Sequence, residues 1–258
     1  EALAAADSAV IAVSGKSGLT TGAKQSFQKA RALKKAVAFF VGKLDSTHAH
    51  FYRVISSLVA NYGAVICPVV IPYIENDEVK SYIDLITNKA YACDGLELKE
   101  LRMPVSNEAD EMRSMLLEAI ATADDALMEK YFAGEEFTPE EIIEGLKKGV
   151  TAGEICPVFA GVQQTGAAVP LMVDTLLQIL PSAADAVCRF EDGEEKAFDE
   201  NGENALFVFK TIADPFVGKL SYIKVISGKI TANTELYNMR TGNVERLGKM
   251  LHTRGKKQ

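Results

Sequence analysis

Residues 37–41 read Val-Ala-Phe-Phe-Val, five apolar residues without a polar break, and no other stretch restricts the fold of this chain as much. A strand with one wet face alternates apolar and polar residues, so an unbroken run of this length belongs to a strand covered on both faces, as in the middle of a parallel sheet. The polar turn Gly42-Lys43-Leu44-Asp45 follows. Ser46 or Thr47 is then placed to cap a helix whose apolar residues Phe51, Val54, Ile55, Leu58, Val59 and Tyr62 recur at helical spacing, and Gly63 closes it. In open α/β sheets ligands sit beyond the carboxyl ends of the strands, which makes residues 42–45 the expected place for chemistry.

Lys43 and Asp45, two residues apart in that turn, suit recognition of a base. A carboxylate accepts two hydrogen bonds from adjacent N–H groups on one edge of a ring such as guanine, while a lysine stem lies along the ring face. The stretch FVGKLDSTHAHFYRVISSL resembles the guanine-specificity loop of translational GTPases, and among them elongation factor G, where the family reads Asn-Lys-x-Asp. Lys43 and Asp45 match that pattern, and Gly42 stands in place of the Asn that helps hold both loop and base.

Two more segments build the same architecture. Residues 9–13 read as a short buried strand and residues 24–35 as a helix leading into the strand at 37–41. Gly15-Lys16-Ser17 between them has the ending of a phosphate loop, but the motif needs a glycine five positions before Gly15, and Val10 stands there. Residues 155–161 form a further buried strand, followed by VQQTGAAV and a helix that Pro181 ends. This segment resembles the family's last nucleotide-contacting element, where Ser-Ala follows the strand and a main-chain N–H reads the guanine oxygen; Val162 and Gln163 replace that pair. Strand and helix in alternation call for a parallel sheet.

The 258 residues, 48% of them hydrophobic, suit a globular protein. No run reaches the length of a membrane span, and the first residue is Glu1 in mid-pattern, so a soluble fragment of a longer protein is expected. Cys67, Cys93, Cys156 and Cys188 are scattered without metal or redox spacing and read as free thiols. His48 and His50 at a helix start would point in divergent directions, so no metal site is expected. Charge is divided along the chain: residues 1–66 carry net +5, residues 67–156 −12, residues 157–203 −7 and residues 204–258 +7. Such division suggests different partners for different parts.

Residues 73–103 hold short alternating pieces separated by Asn, Asp and Gly, the pattern of small antiparallel strands. A long helix is expected over 108–132, and Thr138-Pro139-Glu140-Glu141 is a capping box opening a helix that Gly149 should stop. This acidic block resembles the G-prime insertion of elongation factor G, whose long helix meets the ribosomal stalk protein; the matching positions are Glu118, Thr122 and Asp125. Residues 183–203 read as a linker or exposed loop. From residue 204 the pattern has period two, with Leu206, Val208, Lys210 and Ile212 opposed to Phe207, Phe209 and Thr211, a strand over 220–226, a hairpin turn at 240–243, and a rim loop at Asp214-Pro215. It resembles the start of the β-barrel second domain of elongation factor G.

The resemblance implies an α/β fold: a partial P-loop-GTPase-type parallel sheet with an α+β insertion, followed by a partial all-β barrel. The implied boundaries are residues 1–66 for the first part of the G domain, 67–156 for the insertion, 157–181 for its last strand and helix, 182–203 for the linker and 204–258 for the barrel start. It implies a cytoplasmic, ribosome-associated GTPase that uses GTP and GDP with Mg2+ in the full-length protein. Gly42, Lys43, Asp45, Val162 and Gln163 would line its base pocket, and the chain alone would carry no catalytic residue and hydrolyse nothing. The implied partners are ribosomal RNA, through basic residues including Lys210, Lys219, Lys224, Lys229, Arg240, Arg246, Lys249 and Arg254, and the stalk protein through Glu118 and Asp125, with no membrane contact. The alternative is a degenerate ribosome-binding or regulatory relative that has lost nucleotide dependence.

Overall fold

The computed structural model describes residues 1–185, 187–189, 195–214, 218–253 and 255. They form two compact units, Ser8–Pro181 and Glu1–Asp7 with Ser182–Gln258. A single helical turn, α1 (Ala2–Ala5), belongs to the second. The larger unit begins with β1 (Ser8–Ser14), α2 (Thr21–Ala32), β2 (Ala36–Gly42), α3 (Phe51–Tyr62) and β3 (Ile66–Glu75). Three strands follow, β4 (Glu78–Asp84), β5 (Lys89–Asp94) and β6 (Glu97–Leu101), then the helices α4 (Asn107–Thr122), α5 (Asp125–Phe132) and α6 (Pro139–Ala152). β7 (Cys156–Ala160) and α7 (Val169–Ile179) complete it.

One seven-stranded sheet runs through this unit in the order β1-β2-β7-β3-β4-β5-β6. β1, β2, β7 and β3 are parallel, and β4 to β6 extend the sheet as antiparallel hairpins. Every residue of β2 is buried, as its apolar run requires. β1 is the edge strand, so only Ile11 and Val13 are buried and Val10 stays 45% exposed, where the sequence suggested a wholly buried strand. Side chains alternate across β2. Phe39 stacks on Phe27 of α2 at 5.5 Å and faces Tyr62 of α3 at 6.1 Å, while Phe40 lies beside Gly42 and Gly161. Phe51, Leu58, Ile66, Ile71, Leu116, Ile142, Leu146 and Phe159 fill the remaining core. Burial pushes the thiols of Cys67 and Cys156 up, as expected of inert core cysteines, and Cys156 Sγ donates to Val37 O at 3.1 Å.

The helices correct three sequence expectations. α3 starts at Phe51 after His50, without a side-chain cap, because the preceding residues form a turn in which His48 takes a left-handed conformation (φ 66°). Ser46 and Thr47 therefore cap nothing, and the two histidines lie outside the helix. The long helix expected over 108–132 is two helices. Asp124 leaves helical geometry and its carboxylate accepts from Ala126 N at 3.0 Å and Leu127 N at 3.1 Å, capping α5. Glu118 and Asp125 consequently sit on different helices rather than along one face. The capping box of α6 forms in full, but the helix runs past Gly149, whose missing side chain makes room for Ile155; a Cβ there would lie 2.4 Å from Ile155 Cδ1. The helix ends instead at Gly153, left-handed with φ 77°.

The smaller unit contains antiparallel pairs: β8 (Val187–Arg189) with β9 (Glu195–Ala197), β10 (Ala205–Asp214) with β11 (Gly218–Ser227), and β12 (Glu235–Asn238) with β13 (Asn243–Arg246). β8 and β9 lie where a linker was expected; strands of three residues are too short for a periodic signal. An irregularity between Val208 and Lys210 breaks the strict alternation of β10, and Phe209 approaches Tyr222 at 6.2 Å. Asn238 forms the hairpin turn, its side chain accepting from Arg240 N at 3.0 Å and Thr241 N at 3.2 Å. Residues 199–204 are tied to the end of β11: Ser227 Oγ donates to Asp199 O at 3.1 Å and Asn204 Oδ1 accepts from Lys229 N at 3.0 Å. Of the expected rim loop, Asp214 ends β10, whereas Pro215, like Arg254, lies outside the described residues.

Lys148 holds the Asp124 carboxyl below its ordinary range, helped by the α5 N–H groups, and Lys130 does the same for Glu141. Carboxyls with depressed folded values contribute stability above their ordinary pKa and lose it as pH falls through the folded value. Asp124→Asn keeps a capping side chain and removes the charge. Its urea midpoint is expected to fall at neutral pH and to converge with that of the parent below the carboxylate range, and parallel curves at all pH values would contradict this.

Candidate functional site

The carboxyl ends of β1, β2 and β7 bring three loops together, and main-chain geometry fixes them to one another. Gly15 N donates to Gly42 O at 2.8 Å, and His50 N donates to Gly15 O at 3.0 Å. The loop after β1 is thus bonded to both ends of the loop after β2. Gly15 is required here by close approach: a Cβ would stand 2.7 Å from Leu44 Cδ2. Leu44 is 7% exposed and serves as an inward anchor, which turns its neighbours Lys43 and Asp45 outward; both are exposed. Lys43 is left-handed (φ 57°), an uncommon state for a residue with a side chain. The Gly15-Lys16-Ser17 segment makes no phosphate cradle, since the N–H groups of Lys16 and Ser17 turn back on Ser14 Oγ at 3.2 and 3.3 Å.

The loop after β7 completes the group. Gly161 N donates to Val41 O at 3.1 Å. Val162 is buried and its N–H is taken by Ala167 O at 3.0 Å, so the structure turns Val162 away from solvent. Gln163 is exposed, and its own N–H has no partner among the described residues. Its side chain reaches across to the β2 loop, where Oε1 accepts from Lys43 N at 3.1 Å. Gly42 and Lys43 are therefore brought against Gln163, Asp45 follows on the same turn, and Val162 is buried beside Gln163 in the β7 loop.

The β5–β6 turn forms a side wall that sequence reasoning did not find. Leu96 lies against Gly166, where a Cβ would come within 2.7 Å of Leu96 Cδ2. The Cys93 thiol is raised by burial, an effect reduced by its hydrogen bond with the Ala168 backbone. The Tyr82 hydroxyl is raised by burial first, then by Cys93 and Asp45, which places Asp45 within electrostatic reach of β4. The sequence carried one trace of the wall, the glycine at position 166, which the structure holds at φ 84°, a conformation that favours glycine.

A cavity of about 450 Å³ lies where α3 and α4 begin, lined by His50, Phe51, Tyr52, Tyr73, Ser106 and Glu108 among others. Three of its polar side chains, those of Tyr52, Ser106 and Glu108, are engaged structurally. Tyr52 donates to Pro72 O at 2.8 Å, and Ser106 caps α4 while donating to Glu108 at 3.0 Å. Among the described residues no group of three or more His, Cys, Asp or Glu could hold a metal ion, and no helix is long and apolar enough to cross a membrane.

Comparison with known proteins adds two findings. The family described as elongation factor Tu GTP binding domain matches residues 1–182. The crystal structure of the protein ttk003000868 from Thermus thermophilus is 28% identical with a TM-score of 0.75, over 95% of this chain and 35% of that one. The chain thus spans about a third of that protein's length.

Leu44 makes the β2 loop dependent on packing against the β1 loop. Leu44→Ala is expected to lower stability by about 2–4 kcal/mol, the usual cost of emptying a buried leucine site. Urea denaturation checks it: a loss below about 0.5 kcal/mol, the range of surface substitutions, would mean that Leu44 is not the anchor.

Proposed function

Because this chain belongs to the elongation factor Tu GTP binding domain family, we propose that it supplies the base-recognition side of the GTP site in a translational GTPase related to elongation factor G. The observation that carries this reading is the convergence of the outward pair Lys43 and Asp45 with Gln163 at the carboxyl ends of β2 and β7, bonded through Lys43 N. Asp45 would accept from the ring N–H and the amino group of guanine, the Lys43 stem would cover one ring face, and the open N–H of Gln163 would donate to the ring oxygen. Gly42 would leave the floor of the site to main chain, with Phe40 and Gln163 beside it. Hydrolysis needs phosphate and Mg2+ clamps and an oriented water. The chain contains no G-x-x-x-x-G-K-[ST] segment, so its part in the whole protein's use of GTP and GDP is to select the base. A ribosome-binding relative without nucleotide dependence is the second reading, and Gly42 in place of the family Asn is what favours it.

Residues 1–66 and 157–181 would form the G domain, 67–156 its insertion, 182–203 the connection and 204–258 the barrel start of a cytoplasmic factor. Ribosomal RNA would meet the basic residues of the smaller unit that are not already engaged. Lys210 pairs with Glu1 at 3.0 Å, Lys229 with Glu200 at 2.8 Å and Lys224 with Asp7, so these three stabilise the unit internally. Lys219, Arg240, Arg246 and Lys249 have no ion pair among the described residues and are the better candidates. A stalk-protein contact at Glu118 and Asp125 would have to bridge two helices.

In the whole protein, GDP is expected to bind more tightly than inosine diphosphate, which lacks the amino group, and Asp45→Ala should remove that preference with a loss of about 1.5–3 kcal/mol in GDP binding. Equal affinity of the unaltered protein for both nucleotides would favour the reading without guanine dependence. Reversing Arg246 and Lys249 together should flatten the salt dependence of ribosome association, by about 0.9 in slope for each phosphate no longer neutralised at a duplex-like site. An unchanged slope would move the RNA-binding face elsewhere.

A further inference from the structure

We propose that Gln163 is a positioning residue for base selection, holding the Gly42–Asp45 turn from the opposite loop and presenting the donor end of its carboxamide beside Asp45. The inference rests on the base-site reading above and deepens it. Gly42 has no side chain with which to brace the turn, and the space for one is taken: a Cβ at position 42 would stand 2.7 Å from Gln163 Oε1 and 3.1 Å from Phe40 Cε1. The glycine and the glutamine are complementary in volume although they lie on different loops. The bond from Lys43 N to Gln163 Oε1 falls at the residue with the least favourable backbone of the turn. A left-handed residue with a side chain persists only where its surroundings over-determine it, and here the Gln163 oxygen supplies that constraint from 120 residues away.

The side chain is exposed, so packing does not account for its placement. With Oε1 committed to the turn, the amide is oriented and its NH2 end is left as a donor with no partner among the described residues. Donors from Gln163 and acceptors from Asp45 make a pair of opposite polarity. That pair matches a ring carrying a carbonyl next to an N–H and an amino group, as guanine does, and mismatches adenine, whose amino group would face the donors. One carboxamide thus links the shape of the turn to the polarity of the site.

Substitutions at Gln163 separate the two roles in the whole protein. Gln163→Ala removes both; Gln163→Glu keeps an acceptor for Lys43 N and loses the donor. Hydrogen-exchange mass spectrometry resolved to Lys43 should show exchange on the order of tenfold faster in Gln163→Ala and near-parental exchange in Gln163→Glu. Preference for GDP over ADP should fall on the order of tenfold in both variants. Gly42→Asn alone should also lose preference, because its side chain meets Gln163, whereas Gly42→Asn with Gln163→Ala should regain it. Equal Lys43 exchange in the parent and Gln163→Ala, or a double variant no better than Gly42→Asn alone, would overturn the proposal. If Lys43 exchange responds as expected but the unaltered protein binds GDP and ADP alike, the turn-holding role stands and the guanine reading beneath it falls.

Discussion

The site depends on a short relay of hydrogen bonds that crosses three loops: His50 N to Gly15 O, Gly15 N to Gly42 O, and Lys43 N to Gln163 Oε1. The parallel pairing of β1 with β2 and of β2 with β7 is what makes the relay possible, since it delivers all three loops to one edge of the sheet. Two of the three bonds are main chain to main chain, so they need no side-chain donor or acceptor, but they do need Gly15 to lack a Cβ where its loop meets Leu44. Leu44 sets which residues face inward, and Lys43 and Asp45 are left facing out. The polarity of the site follows from packing beneath it.

How much of this the sequence disclosed depended on how local each cause was. The apolar run at 37–41 and the capping box at 138–141 are written in neighbouring residues, and β2 and the start of α6 formed as read. Asp124 is ambiguous by sequence, because an aspartate can ride on a helix or cap one; its two N–H partners and Lys148 decide for the cap. Gly149 looks like a stop signal until Ile155 is seen to need the space. Gln163 entered the reading as a departure from a family pattern, and only the fold shows its side chain reaching Lys43. Where cause and effect are far apart in the chain, periodicity and turn chemistry are silent.

The charge division is likewise partly internal. Basic and acidic residues that look like opposed surfaces in sequence meet within the smaller unit, where Glu1 and Asp7 take up Lys210 and Lys224. Within the acidic segment, Lys130 meets Glu141 and Lys148 meets Asp124, and both pairs tie α5 to α6. Segment charge therefore overstates the charge each surface offers a partner.

The strand order bears on how the molecule is made. β7 lies between β2 and β3, yet eighty residues of chain separate it from the end of β3, so during synthesis the strands on either side are made before the strand that joins them. Until residue 160 is free to pair, β2 and β3 each present an apolar, unsatisfied edge of the kind that templates misassembly. Long-range closure of this sort is slow relative to local helix formation. The segment made in that interval carries a net −12, and net charge of that size opposes association between incomplete chains.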